Sequence, residues 1–236
     1  MPQEATDARA VIFDADGVLV DSYRAHFEAW RAMGRELGQD LSQERFAASF
    51  GRRNAELMHD LWGGTVPEDR YDAWGDWKEA AYREILLRNF PAMDGAPDLI
   101  DALKAAGFRL AVGSSGPPEN VAAALEGLGR GGAFDAKVDG SEVTHGKPHP
   151  EVFLKAAEKL GIEPGRCAVI EDAPAGVEAA ARAGMVPLAL TGTAPRERLV
   201  RHPEEPDPQP RRRGGRPGSR SRSRRSTRCG CRCSAR

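Results

Sequence analysis

The chain has 236 residues, 40% of them hydrophobic, enough to bury the core of one large domain or of a domain with an insert. Its formal net charge of −1 hides an asymmetry, because residues 201–236 hold 12 arginines against 3 acids and leave the preceding body strongly acidic. An acidic body lacks the electrostatic footprint of a nucleic-acid-binding domain, and no apolar run approaches the roughly 20 residues that cross a bilayer.

The first nine residues are polar and carry no signal-peptide apolar segment, so the expectation is a soluble, cytoplasmic protein; a monomer is expected, though no residue pattern sets the oligomeric state. Residues 11–13 then form a short apolar run that reads as a buried strand. It opens into Asp14-Ala15-Asp16-Gly17. In extended backbone, residues i and i+2 point to one side, so the two carboxylates face together. Three readings stand. A divalent cation holds one or both acids; one acid is ionised and attacks while the other carries a proton; or the segment is an Asp-rich turn.

More than 80 residues separate this strand from the next, far beyond an ordinary crossover. Residues 22–90 are helical in pattern, with Phe27, Trp30, Met33 and Leu37 as one stripe and Phe46, Phe50, Leu57, Met58 and Leu61 marking further helices. All four tryptophans, at positions 30, 62, 74 and 77, lie here. The expectation is a helical insert covering the end of the first strand, where the site of an open α/β sheet lies.

Further strands are expected at 110–113, 167–170 and 186–190, with a brief edge strand at 137–138. Helices are expected at 96–106, with Leu99, Ile100 and Leu103 on one face, after Pro117-Pro118, at 151–160, and at 175–183, the last ending at Gly184. This alternation is the mark of a parallel α/β sheet. Each strand ends in polar groups. Ser114 and Ser115 precede a helix start, where free backbone N–H groups favour an anion or where a serine merely caps. Lys147, in His145-Gly146-Lys147-Pro148-His149-Pro150, neutralises a phosphate or is solvated. His145 and His149 read as loop residues, since no partner is spaced for them. Glu171-Asp172 offers carboxylates of the kind Mg²⁺ prefers, or closes a strand-end turn.

The tail, residues 201–236, is Arg, Pro, Ser, Gly and Cys with almost no aliphatic residue, and cannot order a core. Out-of-frame reading of GC-rich DNA yields such mixtures, and that explanation is preferred to an RNA-binding Arg/Ser run. Cys229, Cys231 and Cys233 resemble a metal tract without a histidine or second cysteine pair. Cys167, alone before an apolar run, reads as a small core residue.

Taken in order, Asp14-Ala15-Asp16-Gly17, Ser114, Lys147 in Gly-Lys-Pro-His-Pro, and Glu171-Asp172 resemble the four motifs of the haloacid dehalogenase-like superfamily over residues 9–195. The opening Asp16–Ser22 and the insert after it are similar to the subgroup holding β-phosphoglucomutase and sugar-phosphate phosphatases. The resemblance implies a Rossmann-like α/β core (9–21 and 91–200) with a helical cap (22–90). It implies Asp14 as nucleophile, forming an aspartyl-phosphate, and Asp16 as general acid and then base. It implies Mg²⁺ held by Asp14, the backbone carbonyl of Asp16, and Asp172, with Glu171 nearby; Ser114 and Lys147, joined by Ser115, would bind the phosphoryl oxygens. His26, Arg52 or Arg53, and Lys78 in Lys-x-x-x-Tyr82 resemble the subgroup's substrate-facing cap residues, or are exposed charges on a helical surface. One departure is that Gly116-Pro117-Pro118 stands where the mutase has a Ser and a Lys-Asn pair. The implied function is a Mg²⁺-dependent phosphatase acting on a small phosphate ester of a sugar or polyol. The alternatives are β-phosphoglucomutase chemistry, nucleic-acid binding through the tail, and a catalytically silent truncated product.

Overall fold

The computed structural model describes residues 8–49, 54–192, 194 and 196–199. The chain falls into two compact units, Met1–His202 and Pro203–Arg236, and every described residue belongs to the first. The expectations for Phe50, Arg52, Arg53 and the 201–236 segment with its three cysteines lie outside the described residues.

Five parallel strands form one sheet: β1 (Ala10–Phe13), β2 (Arg109–Gly113), β3 (Ala136–Val138), β4 (Cys167–Glu171) and β5 (Val186–Ala189), in the order β3-β2-β1-β4-β5. β1 is central, with Ile12 in register with Ala111 on one side and Val169 on the other. Its four residues are all buried because helices cover both faces of the sheet, which is why the strand reads as an unbroken apolar run. Ala10 and Ile12 pack on one face with Val152 and Phe153 of α7 (Glu151–Leu160) and Ala179 of α8 (Pro174–Arg182). Val11 and Phe13 pack on the other with Ile100 of α5 (Ala96–Ala105) and Val121 of α6 (Pro118–Leu128). The result is a three-layer, Rossmann-like α/β core.

All five expected strands and the four core helices are present. One face assignment fails: on α5, Ile100 is buried and Leu103 partly so, but Leu99 is exposed. Adjacent helical residues are about 100° apart, and the stripe facing the sheet takes Ile100 rather than its neighbour. Cys167 is buried, as expected of a core residue. β5 pairs only with β4 among the described strands; Val186 and Leu188 are exposed, and Pro187 stands between them.

The insert between β1 and β2 holds α1 (Tyr23–Glu36), α2 (Gln43–Ser49), α3 (Asn54–Trp62) and α4 (Tyr71–Arg88). These helices have an apolar cluster of their own, containing Trp30, Met33, Phe46, Leu57, Met58 and Trp62, with Phe27 and Leu37 packed on its margin. The two crossings into and out of the insert run side by side. Asp21 N–H donates to Pro91 O at 2.9 Å, and Met93 N–H donates to Leu19 O at 3.0 Å. Ala25 and Ala29 of α1 and Tyr82 and Leu86 of α4 join the core cluster on the β1–β2 side of the sheet. The insert thereby reaches the carboxyl end of β1.

Candidate active site

The site begins where β1 stops. Asp14 N–H donates to Ile170 O at 3.0 Å, continuing the ladder one residue past the strand and fixing the Asp14 side chain beside the end of β4. The chain then closes a tight hook. Gly17, at φ 76°, takes the left-handed conformation that glycine adopts without penalty, and its N–H donates to Val20 O at 2.8 Å. The hook lifts Asp16 clear of the sheet and toward the insert.

Asp14, Glu171 and Asp172 are all buried, and one carboxylate oxygen of each lies within 4.8 Å of the others. Glu171 is the last residue of β4 and Asp172 follows it, so the central pairing of β1 with β4 is what gathers the three acids. Lys147 reaches them from the loop before α7. Its Nζ donates to Asp14 Oδ1 and to Glu171 Oε1, each at 2.7 Å, and lies 4.8 Å from the centre of the Phe153 ring. The lysine side chain is only 9% exposed, so the reading of a solvated surface lysine fails. Glu171 Oε2 accepts from Ala173 N–H at 2.8 Å. Gly176 in the first turn of α8 leaves room for this carboxylate, because a Cβ there would overlap it.

Three buried acids and one ammonium leave an excess of negative charge. Burial, opposed by the Lys147 charge and reinforced by Glu171 and Asp16, lifts the Asp14 carboxyl from its ordinary 3.8 to about 8. Burial disfavours the Lys147 ammonium, but Asp14 and Glu171 outweigh it and hold that group above its ordinary range. A buried, all-oxygen donor set with surplus negative charge fits a hard divalent cation.

Asp16 is outside this cluster and half-buried, turned toward the insert. Tyr82 Oη donates to Asp16 Oδ1 at 3.0 Å, and His26 Nε2 lies 3.7 Å from the same oxygen. The His26 and Tyr82 rings stack at 4.0 Å, nearly parallel. Burial pushes the Asp16 carboxyl up, but hydrogen bonding and charge from His26, with hydrogen bonds from Ser22 and Tyr82, hold it well below the carboxylate range. Behind His26 stands Lys78, whose Nζ is 2.9 Å from His26 Nδ1 and 2.8 Å from Glu79 Oε1. Lys78 is 2% exposed, so it is not a surface charge. Burial lowers its proton affinity, and Glu79 and Asp16 oppose that. Burial also raises the Glu79 carboxyl, but Lys78, Asn54 and Asn120 together hold it below its ordinary value.

Glu79 also ties the insert to the core: its carboxylate accepts from Asn54 at 2.7 Å and from Asn120 of α6 at 2.8 Å. Arg83 donates to Asn120 Oδ1 at 3.0 Å. Sequence reasoning did not single out Glu79, Arg83 or Asn120, and it met Tyr82 only as the end of a Lys-x-x-x-Tyr segment. Ser114 is buried at the end of β2, and its Oγ accepts from Gly116 N–H at 3.0 Å. Ser115 is exposed beside it. Gly116 approaches Asp16, since a Cβ on it would stand 4.0 Å from Asp16 Oδ2. The structure therefore gathers Asp14, Lys147, Glu171 and Asp172 in one cluster, and Asp16, His26, Lys78 and Tyr82 in a second beside it.

Comparison with known proteins points the same way. The family model for the haloacid dehalogenase-like hydrolases matches residues 8–184. Validoxylamine A 7′-phosphate phosphatase of Streptomyces hygroscopicus subsp. limoneus is 34% identical over 199 residues, which is 81% of this chain and 90% of that protein. A phosphorylated carbohydrates phosphatase of Thermotoga maritima is 31% identical over 75% of this chain and 82% of its own. The crystal structure of a β-phosphoglucomutase from Clostridium difficile superposes with a TM-score of 0.67 at 27% identity, covering 77% of this chain and 84% of that one. With the motif order, the sheet and the matched span in agreement, the chain belongs to the haloacid dehalogenase-like hydrolases.

Proposed function

We propose that this protein is a Mg²⁺-dependent phosphatase that hydrolyses a small sugar or polyol phosphate through an aspartyl-phosphate on Asp14. The observation that carries this reading is the junction of the two clusters. Asp14, held at 2.7 Å by Lys147, adjoins Asp16, which is hydrogen-bonded from the helical insert. The names of the two phosphatase relatives support the substrate class.

Asp14, Glu171 and Asp172, with the backbone carbonyl of Asp16, would hold the cation; when bound, it offsets the charge of the carboxylates and of the phosphoryl oxygens. Asp14 supplies the nucleophilic oxygen, and its lone pair attacks phosphorus as the ester oxygen departs. Lys147 bridges Asp14 and Glu171, fixes the direction of that oxygen, and with Ser114 and Ser115 faces the phosphoryl group. Phosphoryl transfer needs alignment and charge neutralisation above all, and this constellation supplies both.

Asp16 delivers a proton to the leaving alkoxide and later takes one from the attacking water. Its present contacts favour the ionised form. Entry of a phosphate dianion beside it, displacing Tyr82 and His26, raises its proton affinity and loads it as an acid. The insert, residues 22–90, acts as the cap that places these two partners.

Mutase chemistry is the second reading, supported by the β-phosphoglucomutase structure; Gly116-Pro117-Pro118 in place of the mutase's Ser and Lys-Asn pair puts hydrolysis ahead. The test is phosphate release across a panel of sugar and polyol phosphates, with Mg²⁺ and with chelator. Metal-dependent release from at least one alkyl phosphate is expected. Conversion of β-glucose 1-phosphate to glucose 6-phosphate without net release would establish the mutase instead, and inertness toward every ester would refute both.

A further inference from the structure

The loop that carries Lys147 has a second face. His145 and His149 flank the lysine and are exposed, and Glu151, the first residue of α7, meets them there. One ligand atom from each of these three side chains lies within 4.8 Å of the others. Pro148 and Pro150 break the segment out of any regular helix or strand, so spacing alone does not mark Glu151 as a third ligand. The turn created it. His149 N–H donates to Gly146 O at 3.0 Å and folds the loop back, bringing the two imidazole rings to 4.5 Å.

Glu151 is held for this role by the loop itself. Its Oε1 accepts from Thr144 N–H at 3.1 Å and pairs with Lys155 at 2.9 Å, while Oε2 accepts from His145 N–H at 2.9 Å. The carboxylate is thus oriented by two backbone amides and a lysine, and Oε2 faces His145 Nδ1 at 3.2 Å. Two ligands bonded to one zinc ion at about 2.0–2.1 Å, at a tetrahedral angle, stand about 3.3 Å apart. The His145–Glu151 separation already has that value. His149 is exposed, so its ring is free to turn the remaining distance.

We propose that His145, His149 and Glu151 form a surface site for a first-row transition-metal ion of the Zn²⁺ class, separate from the acidic cluster at Asp14. The donor chemistry separates the two sites. Two imidazoles and a carboxylate select Zn²⁺, Ni²⁺, Co²⁺ or Cu²⁺, whereas an all-carboxylate set suits Mg²⁺. Pro148 and Pro150 enclose His149 and stiffen the loop, which lowers the entropy lost on ligation. An ion seated here clasps both ends of the loop around Lys147 and steadies that residue against Asp14 and Glu171.

The test uses the full chain with Cys229, Cys231 and Cys233 replaced by serine, so that tail thiols do not compete, and with excess Mg²⁺ to fill the acidic cluster. Zn²⁺ is titrated by calorimetry into this protein and into its His145→Ala/His149→Ala counterpart. One equivalent of Zn²⁺ should bind, and the double substitution should weaken it at least tenfold. In parallel, imidazole ¹⁵N spectra should show Zn²⁺, and not Mg²⁺, shifting the ring signals of His145 and His149 while those of His26 and His59 stay in place. Equal Zn²⁺ binding by both proteins, no binding by either, or a response confined to His26, His59 or His202 would overturn the proposal.

Discussion

Lys78 Nζ stands 2.9 Å from Nδ1 of His26, on the opposite edge of the ring from the Nε2 that faces Asp16 at 3.7 Å. Where the ammonium donates to that ring, Nδ1 accepts, because an ammonium has three donors and no lone pair. A buried lysine on α4 thereby backs a histidine on α1 whose far nitrogen addresses an acid on the β1 loop.

Replacing Lys78 by methionine keeps the aliphatic bulk and removes the donor. The His26 ring is then free to present an unprotonated nitrogen to Asp16. Turnover of alkyl phosphates should fall about ten- to a hundredfold, less than the loss expected from removing the acid itself. The pH–rate profile should shift its alkaline limb upward, because that limb follows the group that must be protonated and Asp16 loses part of what keeps it ionised. An unchanged profile would mean that Lys78 serves packing alone.

The two acids of the β1 loop should separate by leaving group. Asp14→Asn removes the proposed nucleophile, and turnover should drop by about a thousandfold or more on every ester, with the circular dichroism spectrum unchanged. Asp16→Asn should cost roughly 10²–10⁴-fold on alkyl phosphates. Aryl phosphates with acidic phenols leave without a proton and should be much less affected. Steady-state rates on a matched alkyl and aryl pair check this.

Asp14 also makes stability depend on pH. In metal-free protein its carboxyl is raised from 3.8 to about 8, so the folded state holds a proton that the unfolded chain has already lost. The stabilisation is full below about pH 4 and is lost as pH rises through about 8. Urea midpoints in chelator should therefore fall from pH 5 to pH 8 more steeply for the wild type than for Asp14→Asn, whose amide takes no proton. Adding Mg²⁺ at pH 8 should restore the wild type selectively, since a cation replaces the proton.

Gly176 is a spacing requirement of the acidic cluster. A methyl group there would overlap the Glu171 carboxylate, which itself holds Lys147. Gly176→Ala should destabilise the fold by about 1–3 kcal/mol, as overpacking does. It should also reduce kcat at least tenfold by moving Glu171 and with it Lys147. Thermal melts and kinetics on the same sample separate the two effects.

The sheet was legible because each strand is short, apolar and closed by polar residues, and because strands buried on both faces leave unbroken apolar runs. The acids, Lys147 and Ser114 were legible for a related reason: they occupy the carboxyl ends of those strands. Leu99 was misplaced because two neighbouring aliphatic residues give a helix two candidate faces, and only the approach of the sheet chooses between them. Glu79, Arg83 and Asn120 left no trace in the sequence. Their meeting depends on α4 lying against α6, a pairing across 41 residues that no local spacing encodes. Glu151 escaped notice as a neighbour of His145 and His149 for the same reason at shorter range.

The outer border of β5 carries its own safeguard. Val186 and Leu188 face solvent on a strand with no described neighbour beyond it, the arrangement that invites a foreign strand to add on. Pro187 sits between them and has no amide hydrogen to offer. Any intruding peptide meets a missing rung at the middle of a four-residue ladder, so this rim resists amyloid-like growth by covalent structure.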